Sequence, residues 1–482
     1  MTTSNIIDNC QKFILSDPGS GHRMTIVNFT SNMITKASYP KPLWNFKKAN
    51  WPGFSDTLEK LLVDISQDIS PYELSSLFNK SLIESAKKNI PRGCLSKYKP
   101  FWNVELSEQR KTRDAARVEA ERLEGKTAEE RRQAVIEWRR QCAIMKRKII
   151  EAKRKSWNGL LNAMDYRTHG EKAYKLLNNL NNKKKDLISH PMLSGGSILT
   201  DPRSIAEKFN KHFLNKYVHM KQKWQSERYK NNGTDLTEAE ERIFHDIFSI
   251  EELKGAIKNL KVKKQPGPDN IFPEFLKHMG PTAQNTLLKI YNIFWTKNIN
   301  VPSDWDKAVI IPIHKKDKPT EDFDSYRPIA LTSILAKTFE RMVTTRLNFF
   351  LESAEILEEE QAGFRNGMST SNSIMKFVHV VKSGFNTKKS SLAVFVDFQG
   401  AYDTICRKKL QSKLSVIGIT GRMLSWIEKF LAQRWVKTRW NNINSKYQQS
   451  KIGLPQGSVS SSTLFNIYVN DLIKVLKNVG DI

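Results

Sequence analysis

The chain has 482 residues and a formal net charge of +28, from 78 Lys and Arg against 50 Asp and Glu. This length allows two or three domains, and so large a positive charge indicates a polyanionic partner, for which nucleic acid fits better than a membrane surface. No apolar run of about eighteen residues occurs, so no membrane span is expected, and the N-terminus lacks a secretory signal pattern. Four scattered cysteines predict a reducing compartment rather than a disulfide framework.

Residues 104–165 carry the strongest helical pattern, divided at Gly125 and restarted by the capping-box spacing of Thr127 and Glu130. Apolar residues then recur at steps of three and four from Val135 to Ala152, which predicts one buried stripe. The stripe fits a coiled-coil seam or, more simply, packing within this chain. Basic residues lie on the opposite face, and they fit either a solvated surface or contact with a nucleic-acid backbone. They are Arg139, Arg140, Lys146, Arg147, Lys153 and Arg154.

Residues 182–235, with KKKD, SGGS and NNGTD, are predicted to be loops and a partly flexible connector. Two further capping boxes, Thr237 with Glu240 and Ser249 with Glu252, open helices that lead to the loop KKQPGPDN at 263–270. From there helices alternate with short β-rich runs, of which 308–313 and 392–398 are the clearest strands. This mixture predicts an α+β domain.

The first candidate chemical group is Asp397, at the end of the predicted strand LAVFV. A carboxylate on a buried strand is costly unless a cation faces it, and Mg²⁺ takes carboxylates together with phosphates. The alternative is that Asp397 caps a helix that starts near Gly400. Tyr402, five residues on, is expected to lie beside the occupant of such a metal site or in the core.

Two other segments carry candidate binding groups. In GLPQGS, at 453–458, glycine and proline predict an irregular loop that presents the amide of Gln456, although an ordinary turn before a helix is the simpler alternative. The segment 305–333 is predicted to be a hairpin with Lys315, Lys316 and Arg327. Such a hairpin could bind a triphosphate, with arginine as a planar fork and lysine as a point charge, or it could be a charged surface hairpin.

The order of six motifs makes a more specific pattern than any one of them. QPGPDNI, AVIIPIHKKDKP, YRPIALTS, QAGFR, FVDFQGAYDT and GLPQGSVSSSTLFNIYVNDL follow one another from about residue 245 to the C-terminus. This series resembles the reverse transcriptase domain of non-LTR retrotransposons, most closely the jockey-like group. The resemblance implies an RNA-directed DNA polymerase with right-hand fingers and an incomplete palm.

The resemblance also implies roles for individual residues. Asp397 would be the catalytic metal-binding aspartate, the Phe398 carbonyl would lie beside the second metal, and Tyr402 would be the gate against a 2′-hydroxyl. Lys315 and Arg327 would hold the triphosphate, while Gln456 and Gly457 would position nucleotide and template. Template contacts are expected from Gly267 in the QPGPDN loop and from Arg365. Arg139 and Arg147 are candidates for further template contacts because they lie on the basic helical face.

The resemblance further predicts three regions. Residues 1–35 would be a remnant of an apurinic-type endonuclease, in which His22 is expected to be inert because Gly21 replaces the aspartate of the Ser-Asp-His pattern. Residues 36–245 would be a mostly α-helical basic linker, and residues 246–482 the reverse transcriptase domain. The family's Asp-Asp hairpin and thumb are expected to lack counterparts here, and Ser460, Ser461 and Ser462 replace the family's usual Leu-Gly-Pro/Thr.

The predicted function is template-directed DNA synthesis by two-metal nucleotidyl transfer, with this piece of the polymerase inactive by itself. Mg²⁺ is the expected cofactor, with Mn²⁺ as the alternative ion. The expected partners are an RNA template, a DNA primer or target and deoxynucleoside triphosphates, in the nucleus and cytoplasm and without a membrane. The rival hypothesis is a non-catalytic nucleic-acid-binding remnant of a decayed mobile element.

Overall fold

A computed structural model describes most of the chain. The residues described are 10–14, 25–29, 43–63, 68–93, 101–121, 127–165, 170, 174, 191–216, 237–432 and 434–477. His22, the KKKD run and the NNGTD run lie outside them. The chain divides into two compact units, residues 1–45 with 92–98 and residues 46–91 with 99–482.

The first unit contains two antiparallel strand pairs. Strand β1 (Cys10–Ile14) pairs with β2 (Thr25–Phe29), and β3 (Leu43–Trp44) pairs with β4 (Arg92–Gly93). The guanidinium of Arg92 lies 4.5 Å from the centre of the Trp44 ring, a cation–π contact across the second pair. The origin of residues 1–35 in an endonuclease stays a prediction.

The second unit is mainly helical. Its helices are α1 (Trp51–Val63), α2 (Pro71–Asn89), α3 (Val104–Glu121), α4 (Ala128–Asn162), α5 (Pro202–Asn215), α6 (Glu238–His245), α7 (Ile250–Lys258), α8 (Pro273–Lys277), α9 (Pro281–Thr296), α10 (Ile334–Ser353), α11 (Thr370–Asn386), α12 (Arg407–Val416), α13 (Gly421–Ala432) and α14 (Ser461–Lys477). The capping boxes at Thr127 and Ser249 are present as predicted, and each begins its helix at the next residue.

The same unit holds a mixed sheet. Its strands are β7 (Lys307–His314), β8 (Tyr326–Thr332), β9 (Trp435–Trp440), β10 (Ile443–Asn444) and β11 (Gln448–Gln449), in the order β10-β9-β7-β8, with β11 also on β9. Strand β8 is antiparallel to β7, so the predicted hairpin is confirmed, and β9 is parallel to β7. Helices around a mixed sheet agree with the predicted α+β class.

One face of the sheet is covered by α5, which precedes the predicted polymerase region. Ala308, Ile310, Ala330 and Val436 form a buried cluster on this face, and α5 packs against it. Side-chain atoms of α5 also join the strands directly, because the Thr438 hydroxyl on β9 donates to Asn210 Oδ1 at 3.1 Å.

A second helix from before residue 245, α1, is joined to α9. Both carboxylate oxygens of Glu59, on α1, accept the backbone N–H groups of Thr282 and Ala283 at 2.9 Å. These N–H groups belong to the first turn of α9, where no helical carbonyl can reach them. Residues before 245 therefore contribute to the fold of those that follow.

The prediction of loops was wrong for residues 191–216. Strands β5 (Met192–Ser194) and β6 (Ser197–Leu199) form a hairpin whose two-residue turn is Gly195-Gly196, and α5 begins after Asp201, whose carboxylate accepts the Ser204 N–H at 2.8 Å. Paired glycines between two short strand-type runs, here MLS and SIL, are a hairpin signal, and Asp-Pro is a helix-start signal. The prediction instead counts Gly and Ser as marks of a flexible connector.

The prediction of a buried strand at 392–398 was also wrong. The structure gives this segment an irregular backbone, and its apolar side chains are exposed, with Leu392 at 93% and Val396 at 74% of full exposure. A strand needs a neighbour for its N–H and C=O groups, and none of the strands in the described residues pairs with it. Apolar β-branched sequence alone could not supply that neighbour.

The two helices predicted within 104–165 are confirmed as α3 and α4, while the predicted break at Gly125 lies outside the described residues. Helix α4 packs along α3, and the alternating stripe forms the contact face, in which Met145 is buried. Arg139 and Arg147 are exposed on the other side. Packing within the chain is thus the correct alternative for the stripe. Within the described part of the chain, no helix is both long and apolar enough to span a membrane.

A substitution at Phe209, on α5, tests whether this helix packs in the core of the second unit. Its fully buried ring contacts Phe323 and Tyr326 at centroid distances of 4.6 and 5.0 Å. We expect Phe209→Ala to lower the free energy of unfolding by about 3–5 kcal/mol, since it leaves a core cavity. Urea denaturation measures this. Phe349→Ala, at a phenylalanine that is 63% exposed, is the matched control and should cost less than about 1 kcal/mol. Equal costs for the two variants would contradict the packing of α5.

Candidate functional site

The loop from Gly453 to Gly457 docks on two other parts of the chain through its backbone. Leu454 N donates to the Tyr402 carbonyl at 2.8 Å, and Ala330 N on β8 donates to the Gln456 carbonyl at 2.8 Å. Gly457 has φ +115°, and a Cβ atom there would lie 2.7 Å from the Ala330 carbonyl oxygen. Only glycine fits this position, because both its conformation and the closeness of β8 exclude a side chain.

The side chain of Gln456 is held by Asp403. Its amide Nε2 donates to both carboxylate oxygens of Asp403, at 3.0 and 3.2 Å. Because a carboxylate only accepts hydrogen bonds, this contact fixes which way the amide faces and leaves Gln456 Oε1 as an acceptor for another group. Burial raises the pKa of Asp403, while the hydrogen bond from Gln456 and the positive charges of Lys216 and Lys315 act in the opposite direction.

Tyr402 joins the same junction. Its ring stacks on Phe465 of α14, with centroids 5.2 Å apart and planes 20° apart, and burial raises its pKa. The Phe465 contact fixes the ring, and the Leu454 hydrogen bond fixes the backbone. The structure therefore brings together three predicted site residues, Tyr402, Gln456 and Gly457.

Arg407 binds the loop through backbone carbonyls, and no sequence motif indicated this residue. Its guanidinium donates to four carbonyls, those of Gly453 at 2.9 Å, Leu431 at 2.6 Å, Ser450 at 2.8 Å and Ile452 at 3.1 Å. Burial and the nearby Arg434 charge lower its pKa to about 10. A cation in the first turn of a helix interacts unfavourably with the helix dipole. The position of Arg407 at the start of α12 was therefore a signal that the sequence offered.

A cavity of about 80 Å³ lies between this loop and the sheet. Asp403 and Gln456 lie on one side, and the strand residues Ala308, Ile310 and Ala330 on the other. Phe213 and Leu214 of α5 also line it. The lining thus combines apolar side chains with several polar ones, among them Arg434.

Lys315 and Arg327 belong to the β7–β8 hairpin. Lys315 N donates to Ser325 O at 2.7 Å, and its ammonium donates to the Asp324 carbonyl at 2.8 Å. Arg327 is exposed and lies three residues before Ala330. Successive strand residues alternate between faces, so Arg327 lies on the face of β8 opposite to Ala330 and the cavity.

Asp397 and Phe398 lie in the exposed segment 391–398. No cluster of three or more His, Cys, Asp or Glu side chains that could hold a metal ion occurs among the described residues. A single exposed carboxylate does not fit a two-metal centre. Phe398 lines an open cavity of about 340 Å³ together with Phe465 and Tyr468 of α14.

Two residues predicted to bind template make contacts within the chain. A Cβ at Gly267 would lie 2.5 Å from the Ser333 backbone nitrogen, so the QPGPDN loop packs tightly on the end of β8. Arg365 forms a two-pronged ion pair with Glu352, at 2.9 and 2.5 Å, and donates to the Glu358 carbonyl. On α4, Arg147 makes a long contact of 3.8 Å with Glu151, while Arg139 is exposed.

The comparisons with known proteins bear on the family of the chain. Residues 313–480 match the family model described as reverse transcriptase (RNA-dependent DNA polymerase). The chain is 30% identical over 338 residues to a probable RNA-directed DNA polymerase from transposon BS of Drosophila melanogaster, covering 70% of this chain and 37% of that protein.

Two more relatives cover other shares of the chain. The RNA-directed DNA polymerase from mobile element jockey of Drosophila melanogaster is 28% identical over 224 residues, which are 46% of this chain and 24% of that protein. A putative 115 kDa protein in type-1 retrotransposable element R1DM, from the same fly, is 23% identical over 457 residues, which are 91% of this chain and 41% of that protein. The chain thus spans less than half the length of these relatives.

Arg407→Lys tests whether the guanidinium holds the loop. Lysine cannot reach the same four carbonyls, so buried acceptors lose their donors, and the free energy of unfolding should fall by more than about 2 kcal/mol. Urea denaturation measures the loss. Lys408→Met, at the next, exposed residue of α12, is the control and should change stability by less than about 0.5 kcal/mol. A neutral Arg407→Lys would show that the loop does not depend on this clamp.

Proposed function

Because residues 313–480 form a reverse transcriptase domain related to those of jockey-like non-LTR retrotransposons, we propose that this chain supplies the nucleotide-selecting part of an RNA-directed DNA polymerase. The observation that carries the proposal is the docking of the Gly453–Gly457 loop between β8 and the turn at Tyr402 and Asp403. In this proposal an incoming deoxynucleoside triphosphate and the template base meet at that junction.

Each group at the junction suits one part of a nucleotide. Gln456 Oε1, left as an acceptor by Asp403, can accept from a sugar hydroxyl or a base. The Tyr402 ring is fixed by Phe465, and in this proposal it would clash with a 2′-hydroxyl and exclude ribonucleotides. Lys315, whose positive charge acts on Asp403, would hold the triphosphate as a point charge. Arg327 was expected to share this role, but it lies on the opposite face of β8 and is left out of the proposed junction.

Catalysis requires divalent cations in this family, and Mg²⁺ is the ion we propose, with Mn²⁺ as the alternative. Asp397 is the proposed catalytic ligand, and the carbonyl of Phe398 lies beside it in sequence. The described residues do not by themselves hold two metal ions, because Asp397 has no acidic cluster around it. We therefore propose that the polymerase also uses carboxylates other than those of the described residues to hold the metal ions.

The exposed segment 391–398 supports an incomplete palm in this piece of the polymerase. Leu392, Val394, Phe395 and Val396 have strand-type sequence and are all more than 70% exposed. Phe395 contacts Phe377 of α11, a helix whose own apolar residues are also exposed. We propose that this segment becomes a strand when further palm strands pair with it, which would also fix the direction of Asp397.

Nucleic acid would be held along the basic surfaces. The outer face of α4, with Arg139 and Arg147, is proposed to contact the template backbone, which agrees with the charge of +28. Gly267 and Arg365 would shape the template path, Gly267 through the tight loop on β8 and Arg365 through its link to Glu352. The partners are then an RNA template and a DNA primer or target.

Asp397 tests the catalytic assignment. In the polymerase that contains this chain, Asp397→Asn should lower primer extension on poly(rA)/oligo(dT) with Mg²⁺ by at least about 100-fold, since it removes a metal ligand worth several kcal/mol. Stability should hardly change, because Asp397 is exposed. Asp471→Asn, at another exposed aspartate, is the control and should leave extension within a few-fold of normal.

Two outcomes would count against the catalytic assignment. Full extension by Asp397→Asn would show that this aspartate is not a catalytic ligand. An unmodified polymerase that binds RNA and DNA but never extends a primer would favour the rival function, a non-catalytic nucleic-acid-binding remnant.

The basic face of α4 gives a separate prediction. The binding affinity for single-stranded RNA should fall with KCl, and each neutralised phosphate should add about −0.7 to the log–log slope. Arg139→Gln with Arg147→Gln should therefore make the slope shallower by about 0.7 per arginine, as measured by fluorescence anisotropy. Arg242→Gln, an exposed arginine paired with Glu238 on α6, should leave it unchanged. An unaltered slope in the double variant would mean that this face is only solvated.

A further inference from the structure

A cavity on the side of the sheet away from α5 combines aromatic rings with positive charges. It has a volume of about 460 Å³ and lies at the start of β7. Tyr72 of α2, Trp435 of β9 and Tyr447 line it together with Lys307 and Asp306. None of these residues belongs to the proposed nucleotide site, so the cavity calls for a separate explanation.

The strand register explains why the charges and the tryptophan share one face. Lys307 pairs with Trp435, and Val309 pairs with Lys437. Alternation along β9 therefore places Trp435, Lys437 and Arg439 on the same side, opposite to the buried Val436 and Thr438. The result is a row of one indole and two cations that continues from Lys307.

Both rings are accessible, and that of Tyr72 is held in place. Tyr72 is 48% exposed and Trp435 is 42% exposed, so each ring has surface that a ligand can contact. The Tyr72 hydroxyl donates to the Asn300 carbonyl at 2.9 Å, and its ring lies 5.8 Å from that of Phe294. Rings fixed in this way lose little conformational entropy when a flat ligand stacks on them.

Two lysines lie near the third ring, that of Tyr447. Lys437 Nζ lies 4.6 Å from the centre of the Tyr447 ring, and Lys307 Nζ lies 5.9 Å from it. Burial lowers the pKa of Lys437, and the neighbouring charges of Arg439 and Lys307 lower it further. Asp304 pairs with Lys307 at 3.2 Å, but Lys437 has no carboxylate within ion-pair distance in the part of the chain that the structure describes. A bound anion would relieve this repulsion.

Asp306 is the acidic residue in the lining, and it repels an anion less than a fully ionised aspartate would. Asp306 is buried, and burial raises its pKa to about 7, against the charges of Arg434 and Lys307. Near neutral pH its carboxyl is therefore partly protonated and carries only part of its negative charge. The cavity can thus take a phosphate beside the lysines and a flat ring beside the aromatics.

We propose that this cavity binds an unpaired nucleotide of single-stranded nucleic acid, with the base stacked on Trp435 or Tyr72 and the backbone phosphate at Lys307 and Lys437. Stacking platforms flanked by positive charge are how proteins bind single strands without sequence preference. The inference rests on the proposed binding of a template and adds a second contact point for it. Residues of α2, from before the reverse transcriptase domain, would form part of that contact.

The experiment compares two labelled oligonucleotides of equal charge, oligo(dT) and an abasic strand of the same length, by fluorescence anisotropy at fixed KCl. The unmodified chain should bind oligo(dT) at least about fivefold more tightly, since each stacked base contributes on that scale. Trp435→Leu and Tyr72→Leu should each reduce this preference, because each removes one stacking surface. Phe349→Leu, at an exposed phenylalanine on α10, is the control and should keep it.

Each outcome has one meaning. If the unmodified chain binds both strands equally, or if both variants keep the preference for oligo(dT), the proposal is overturned while the proposed nucleic-acid binding stands. If the unmodified chain binds neither strand, the template-binding part of the proposed function fails as well. An oligo(rU) arm shows whether RNA and DNA are accepted alike, and urea denaturation shows that Tyr72→Leu, on a helix surface, leaves the fold intact.

Discussion

The proposed site depends on the contact between the Gly453–Gly457 loop and two distant parts of the chain. The loop reaches β8 and the turn at Tyr402 through main-chain hydrogen bonds, and Arg407 holds it from the other side by binding four carbonyls. Removing this half-buried guanidinium would leave those carbonyls without their donors. The positions of Gln456 and Gly457 follow from this clamp rather than from the loop sequence alone.

The site also depends on helices that come before the reverse transcriptase domain. Helix α5 covers the sheet beside the cavity at Asp403 and Gln456, and Glu59 of α1 caps α9. The proposed single-strand cavity likewise takes Tyr72 from α2. A boundary drawn at residue 245 therefore describes the sequence motifs, while the packing of the polymerase fold begins earlier. The separate role predicted for residues 36–245, a basic linker, stays a proposal for the α3–α4 hairpin.

Local sequence signals predicted the parts of the fold that are determined locally. The capping boxes at Thr127 and Ser249, the β7–β8 hairpin and the stripe around Met145 all depend on residues close together in the chain. The motif order also predicted the meeting of Tyr402, Gln456 and Gly457, but only through resemblance. The hydrogen bond from Gln456 to Asp403 joins residues 53 positions apart, and no periodic pattern records such a contact.

The failures have physical causes too. Segment 392–398 has strand-type residues, but a strand forms only beside a partner strand, and Asp397 is exposed as a result.

The central claim is that the junction at Gln456 selects the nucleotide. Photo-crosslinking of an azido deoxynucleoside triphosphate tests it most directly, in the polymerase stalled with a chain-terminated primer on an RNA template. We predict crosslinks within 400–404 and 453–457, formed only with the nucleotide that pairs with the template base. Crosslinks confined to other segments, or equal labelling by every nucleotide, would contradict the account.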